Sequence, residues 1–277
     1  MSTVRSLLAS HDALASDDAR REAEILLGHA LDKSRAWLYA HGDDEISDVA
    51  AETFRSLLKQ RAAGTPVAYL IGHREFWTLK FVVTPAVLIP RPETELLVEL
   101  ALRHIPQSEK VDIVDLGTGS GAIALAIASE RPQSRVVATD ASEEALSVAR
   151  INAGQLEIGN VEFIRSDWFD GLSRMMFDVI VSNPPYIASN DNHLSQGDLR
   201  FEPRDALASG IDGLDAIRDI VRRAPEHLKP GGDLLIEHGF DQGAAVRELF
   251  AQSGFVDIST SRDSEARERV TSGRKPC

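Results

Sequence analysis

Cysteine is nearly missing from this chain: Cys277, the last residue, is the only one. That excludes an internal disulfide framework and any cysteine-rich metal site. Long apolar runs are missing too, since no stretch approaches the ~20 residues a bilayer span requires. The opening Met1-Ser2-Thr3-Val4-Arg5 lacks a secretory apolar core and reads as amphipathic. A reducing cytoplasm is the expected location, with no membrane partner. Positive charge is scarce, with 30 Lys and Arg against 43 Asp and Glu and a net charge of −13. Duplex binding depends on basic side chains neutralising phosphates. Here the basic residues are scattered, with only short pairs such as Arg20-Arg21 and Arg222-Arg223. Nucleic acid is disfavoured as a direct partner.

Over 277 residues, 43% hydrophobic and 26% charged content marks an ordinary globular protein, long enough for two domains. No internal repeat or low-complexity segment interrupts it. Residues 1–74 read as a helical domain. Ala19, Ala23, Leu26, Leu27, Ala30 and Leu31 form one helical stripe, with Ser16 or Asp17 as its N-cap. A second stripe runs through Ala50, Phe54, Leu57 and Leu58 and ends at Gly64-Thr65-Pro66. Residues 75–92 read as a hairpin or extended linker, rich in β-branched and aromatic residues from Phe76 to Val83. Residues 93–277 form the third segment. Pro92 and two acids lead into an apolar helix from Leu96 to Ile105. From Val111 strands and helices alternate, which predicts an α/β domain with a parallel sheet covered on both faces. The predicted strands are Val111–Asp115, Arg135–Thr139, Val161–Arg165, Phe177–Ser182 and Asp233–Glu237, the last fed by a tight turn, Leu228–Gly232.

Two constellations carry chemistry. The first is Asp115-Leu116-Gly117-Thr118-Gly119-Ser120-Gly121, joining a strand to an Ala- and Ile-rich helix. Its glycines let the backbone turn sharply and lie against a ligand. Gly117, Gly119 and Ala122 also satisfy a dinucleotide fingerprint, so this loop alone indicates a nucleotide-type ligand without fixing the chemistry. Asp140 follows the second strand, where an acid can bind ribose hydroxyls or cap the next helix. Asp167 and Trp168 follow the third, suited to the amino group and ring of an adenine, with an ordinary buried Trp in a loop as the alternative.

The second constellation is Asn183-Pro184-Pro185-Tyr186, at the end of the apolar strand Phe177–Ser182. Two prolines end the ladder and fix the backbone. An amide nitrogen is a poor nucleophile because its lone pair is delocalised. The Asn183 side-chain oxygen and the Pro184 carbonyl can accept its two N–H bonds and free the lone pair, while Tyr186 offers a flat apolar face. A proline-rich turn with Asn as turn former is the alternative. S-adenosylmethionine accounts for both constellations, whereas a nicotinamide cofactor leaves the Asn183–Tyr186 turn unexplained. The expected reaction is direct methyl transfer without a metal or covalent intermediate.

The chain resembles the protein-(glutamine-N5) methyltransferases that modify peptide-chain release factors (the HemK/PrmC family). The likeness covers nearly its whole length. It is carried by Pro66–Gly72, Val87–Glu95, Asp115–Gly121, Ser166–Phe169, Asn183–Tyr186 and Phe201-Glu202-Pro203. The Asn-Pro-Pro-Tyr turn is shared with adenine-N6 DNA methyltransferases, while the Pro90–Glu95 block is more specific to the glutamine enzymes. The resemblance implies a class I methyltransferase domain, Rossmann-like with a seven-stranded mostly parallel sheet, behind a small N-terminal helical domain for substrate recognition. The implied substrate is the Gly-Gly-Gln glutamine of a release factor, in translation termination. Gly117, Thr118, Gly119, Ser120, Gly121, Asp140, Trp168 and Asn183 would contact the cofactor. Asn183, Pro184, Pro185 and Tyr186 would form the glutamine pocket, with Asn183, Pro184 and Tyr186 catalytic. A ribosomal-protein glutamine or, further off, a DNA adenine are the alternative substrates. The sequence departs from the family pattern at His238, where an apolar residue is usual, and in Arg262–Arg267, which lacks a common glycine. His238 is expected to be a strand-end residue rather than a base.

Overall fold

In the computed structural model, which describes residues 2–277, the chain divides into two units, one ending at His73 and one running from Arg74 to Cys277. Met1 lies outside the described residues.

The first unit is helical. After the short strand β1 (Ser2–Thr3) come α1 (Val4–Leu8), α2 (Ala19–Leu31) and α3 (Arg35–Ala40). Strand β2 (Glu45–Ile46), which pairs antiparallel with β1, leads to α4 (Asp48–Ala62) and α5 (Val67–Ile71). Thr3, Ser34 and Ser47 cap α1, α3 and α4 by accepting from a backbone N–H one turn on, which satisfies donors that have no partner within the helix. The α2 stripe forms as its spacing requires: Ala23, Leu26 and Leu27 are buried, with Ala19, Ala30 and Leu31 packed at the margin. The cap differs from the expected Ser16 or Asp17. Asp18 occupies that position, because Ser16 closes a turn in which its hydroxyl accepts from Asp18 N and its carbonyl from Ala19 N. On α4 the buried face is Ala51, Phe54 and Leu58, with Ala50 and Leu57 at its edge.

One charge is buried in this unit. Glu24 is 2% exposed and accepts from Arg35 at 2.6 Å, Arg20 at 3.2 Å and the Tyr39 hydroxyl at 3.0 Å. Burial pushes its pKa up, but these bonds outweigh burial and leave it below the ordinary 4.5. A depressed carboxyl contributes stability that is fully present above the unfolded-state pKa and lost as pH falls through the lowered folded value.

A hairpin begins at the boundary between the units, β3 (His73–Phe76) and β4 (Leu79–Val82), turned at Trp77 with φ 57°. Phe76 and Phe81 lie in one buried cluster with Leu97 and Val98 of α6 (Glu95–His104). Then β5 (Asp112–Leu116), α7 (Ala122–Glu130), β6 (Arg135–Asp140), α8 (Glu143–Gln155), β7 (Val161–Arg165) and β8 (Phe177–Ser182) follow. The chain ends with α9 (Asp215–His227), β9 (Leu228–Glu237), α10 (Gly243–Gln252), β10 (Val256–Arg262) and β11 (Glu268–Arg274).

The seven strands stand in the order β10-β11-β9-β8-β5-β6-β7, and β11 runs antiparallel to both neighbours. Alternate residues serve opposite faces. Ile113, Val179 and Leu235 pack with α6 and α7 on one side, while Val114, Ile180 and Leu234 pack with α9 and α10 on the other. The expected turn at Leu228–Gly232 is instead a break inside β9. Leu228 pairs with Phe177 and the ladder resumes at Asp233 opposite Val179, because Pro230 cannot donate and Gly231 takes φ 77°. The Arg262–Arg267 stretch turns β10 into β11. Ala266 there adopts φ 62°, a conformation that suits glycine, and Asp263 accepts from the backbone N–H groups of Glu265 and Arg267.

Glu24→Ala is expected to lower unfolding free energy by about 1.5–3 kcal/mol, the scale of hydrogen bonds to a charged group. The difference from wild type should shrink as urea denaturation is repeated from pH 7 down to pH 3. A pH-independent difference would remove the ionised carboxylate as its source.

Candidate active site

The carboxyl edge of the parallel strands carries every predicted site segment, because β5, β6, β7 and β8 all run the same way. At the end of β5 the chain bends through Gly117, Gly119 and Gly121, each at positive φ (74°, 56° and 84°). The bend is held from beneath by Asp115. Its carboxylate is fully buried and accepts from the Thr118 hydroxyl at 2.6 Å and from Ala124 N at 3.2 Å. Burial pushes the Asp115 pKa up to about 7 against these two bonds. Asp140 at the end of β6 accepts from Gly119 N and Ser142 N, both at 2.9 Å, and burial raises its pKa as well. The helix that follows is capped by Ser142, whose hydroxyl accepts from Ala145 N at 3.1 Å. Asp140 is therefore not the cap and stands at the cavity wall.

Trp168 adopts φ 46°, and its indole lies over Gly117, where an added Cβ would come within 3.3 Å of the ring. The cradle thus accepts glycine and crowds anything larger. A cavity of about 490 Å³ opens between these elements, lined by Gly117, Gly119, Asp140, Asp167, Trp168 and Asn183 among others. That volume falls within the range of small-ligand sites. A second cavity, about 50 Å³, is lined by Thr118, Ser120 and Arg91 and shares Gly117, Gly119 and Asn183 with the first. A third, about 70 Å³, is lined by Pro184, Pro185, Tyr186 and Asn183. Leu88 and Asn183 line all three.

Gly121 lines none of the three. A Cβ on it would stand 3.0 Å from Leu125 Cδ1 and 3.2 Å from Ala149 Cβ, so it permits α7 to approach α8. His238 is fully buried between Gly239 O at 2.8 Å and the Thr271 hydroxyl at 2.9 Å, and burial lowers its pKa. It lines no cavity named here and acts as a strand-end clamp.

At the Asn183–Tyr186 turn, the Asn183 amide group Nδ2 donates to the Thr94 hydroxyl at 3.1 Å. The Tyr186 hydroxyl donates to Glu237 at 3.4 Å, and its backbone carbonyl accepts from Gln242 at 3.0 Å. Burial and the Glu237 charge hold the Tyr186 pKa above its ordinary value. Three contributors had no role assigned from the sequence, although two of them, Thr94 and Glu202, lie in segments that carry the family resemblance. Asn152 is buried and bridges Val82 and Ser120 through its side chain. Glu202 accepts from Ile89 N at 3.0 Å and pairs with Arg91, tying two separate segments over the cleft. Thr94 is the third. Each acts across many residues of chain, which local patterning does not register.

The sheet order with one antiparallel strand and the ligand-sized cavity at its carboxyl edge define a class I, Rossmann-like methyltransferase fold. A methyltransferase from Pyrococcus furiosus superposes with a TM-score of 0.56 at 18% identity, covering 80% of this chain and 98% of that one. Residues 2–72 match the PrmC N-terminal domain and residues 93–199 the methyltransferase small domain. A release factor glutamine methyltransferase of Xylella fastidiosa is 57% identical over 257 residues, covering 93% of this chain and 94% of its own. One from Escherichia coli is 48% identical over 260 residues, 94% of each chain. The chain belongs to the release factor glutamine methyltransferase family.

Gly121→Ala is expected to cost about 1–3 kcal/mol of stability, from the positive φ and the crowding against Ala149. Calorimetric melting checks this. A variant as stable as wild type but defective in ligand binding would return Gly121 to the cavity.

Proposed function

We propose that this enzyme transfers a methyl group from S-adenosylmethionine to the side-chain amide nitrogen of the glutamine in the Gly-Gly-Gln loop of peptide-chain release factors, leaving S-adenosylhomocysteine. The observation that carries the reading is the position of Asn183, which lines both the large cavity and the narrow slot formed by its own turn. The family's named relatives favour a release factor over a ribosomal protein or a DNA adenine. The cytoplasm, where release factors act, is the corresponding location.

The large cavity fits the cofactor in kind. Asp140 presents a half-buried carboxylate for ribose hydroxyls, Trp168 a flat face for the base, and Gly117 and Gly119 backbone without side-chain obstruction. Thr118 and Ser120 line the adjoining small cavity. The cofactor, when bound, supplies a methyl group on a positively charged sulfur.

The chain's own residues do the rest. With Nδ2 engaged by Thr94, Asn183 Oδ1 remains to accept one N–H of the substrate carboxamide, and the Pro184 carbonyl accepts the other. Two acceptors in fixed positions draw the nitrogen lone pair out of conjugation, and Pro185 and Tyr186 wall the slot. Orientation of this kind removes roughly 7–11 kcal/mol from a barrier in favourable cases. No residue is assigned as a general base: the nitrogen becomes acidic only as its new bond forms, and the proton it then loses passes to solvent. A glutamine carried between glycines can enter a slot this narrow because its neighbours have no side chains. The helical unit ending at His73 is the proposed recognition domain for the release factor.

Asn183→Ala is expected to reduce the single-turnover methylation rate at least about 100-fold while cofactor affinity changes less than about tenfold. Radiolabelled methyl transfer to a purified release factor measures it, and a rate within a few-fold of wild type refutes the assignment. Asp140→Ala should act the other way, weakening calorimetric cofactor affinity about 10- to 100-fold, as loss of charge-assisted hydrogen bonds implies. Unchanged affinity would count against the ribose role.

A further inference from the structure

Thr94 closes the short turn Pro92–Thr94 that leads into α6, and it is 4% exposed. Its hydroxyl faces two groups. One is Asn183 Nδ2, at 3.1 Å. The other is the Glu237 carboxyl at the end of β9, 1% exposed, which lies close enough to feel the hydroxyl but does not complete a full hydrogen bond with it. Glu237 Oε1 accepts from Tyr186, and Oε2 has no hydrogen-bond partner among the described residues. Burial pushes the Glu237 pKa up to about 7, while the Thr94 hydroxyl, foremost among the opposing influences, and the Arg269 charge pull it down.

The polarity of this arrangement matters. A hydroxyl has one proton to donate and two lone pairs to offer. With the proton directed to the carboxyl, only lone pairs face Asn183, which must then present its NH2 end. The opposite amide rotamer would set Asn183 Oδ1 against those lone pairs and aim NH2 at the substrate amide, donor against donor. A buried mismatch of that kind costs about 1–3 kcal/mol for each unsatisfied group.

We propose that Thr94 is a positioning residue for the methylation reaction: its hydroxyl, backed by Glu237, fixes the Asn183 amide so that Oδ1 and not Nδ2 meets the reacting nitrogen. This rests on the reading of Asn183 as the acceptor of the substrate N–H. Thr94 is absent from the lining of the slot proposed for the substrate amide and borders the small adjoining cavity.

The test is single-turnover methylation of a full-length release factor at saturating S-adenosylmethionine, with cofactor affinity measured in parallel. Thr94→Val keeps the shape and removes the hydroxyl. Its rate should fall about 10- to 100-fold, with KM for the release factor and cofactor affinity within about threefold of wild type. Thr94→Ser should recover a rate within about threefold. In the Asn183→Ala background, Thr94→Val should cause no further loss beyond about twofold, because the group it orients is gone. Glu237→Gln, which can donate to the hydroxyl as well as accept from it, should slow the reaction without weakening cofactor binding. A Thr94→Val rate near wild type beside a slow Asn183→Ala overturns this proposal and leaves the Asn183 assignment standing. A fast Asn183→Ala overturns both. Equal losses in Thr94→Ser and Thr94→Val, or a Thr94→Val that loses cofactor affinity while Glu237→Gln is fully active, would assign Thr94 to packing and overturn the proposal.

Discussion

Leu116 and Ser182 are register partners at the ends of two adjacent parallel strands, and the Ser182 hydroxyl donates to the Leu116 carbonyl at 2.8 Å. The next residue on one strand is Gly117 and on the other Asn183. The glycine loop and the Asn183–Tyr186 turn are therefore side by side because of one strand pairing. A slip of one residue would turn every apolar side chain of β8 to the wrong face, so the cores on both sides of the sheet enforce the alignment. Precision at the site comes from the packing energy of the fold rather than from the site's own bonds.

The segments that converge on this edge are fastened by buried polar side chains. Asp115 ties down the glycine bend, Asn152 joins β4 to the same bend, and Glu202 draws the 203–206 segment toward Ile89 and Arg91. Each replaces several backbone contacts that a loop cannot make with itself. Losing one leaves buried donors without acceptors, which is costlier than losing an exposed bond.

This division explains what the sequence revealed. Strands β5, β6 and β8 were legible to within a residue because they are apolar and interior, and local patterning registers that; β7, at one edge of the sheet, still carries Val161, Phe163 and Ile164. Strands β10 and β11 escaped notice. Val256–Arg262 and Glu268–Arg274 sit at or beside the sheet edge, with much of β10 exposed, so they carry few apolar residues. Gly117, Gly119, Asp140, Trp168 and Asn183 were readable because backbone bends and strand ends leave a local signature. Thr94 and Asn152 were not, since their partners lie 89 and up to 70 residues away. Gly121 shows the converse, a glycine inside a ligand-type motif whose space is taken by a helix contact.

The slot beside Asn183 is lined by no carboxylate and no histidine among the described residues; its ionisable members are Arg91 and Tyr186. Arginine stays charged, and the raised Tyr186 pKa keeps its phenol neutral. The groups whose pKa values lie near 7, Asp115 and Glu237, stand behind the lining. The slot's proposed acceptors are thus carbonyl dipoles, set in place before the substrate arrives and indifferent to pH. Such dipoles need no reorganisation as charge develops on the reacting nitrogen. The buried carboxyls contribute at one remove, by deciding which way neighbouring hydroxyls and amides point. A site built in this way favours an amide, whose nitrogen must be coaxed out of conjugation, over an amine, which would need a base to take its proton first.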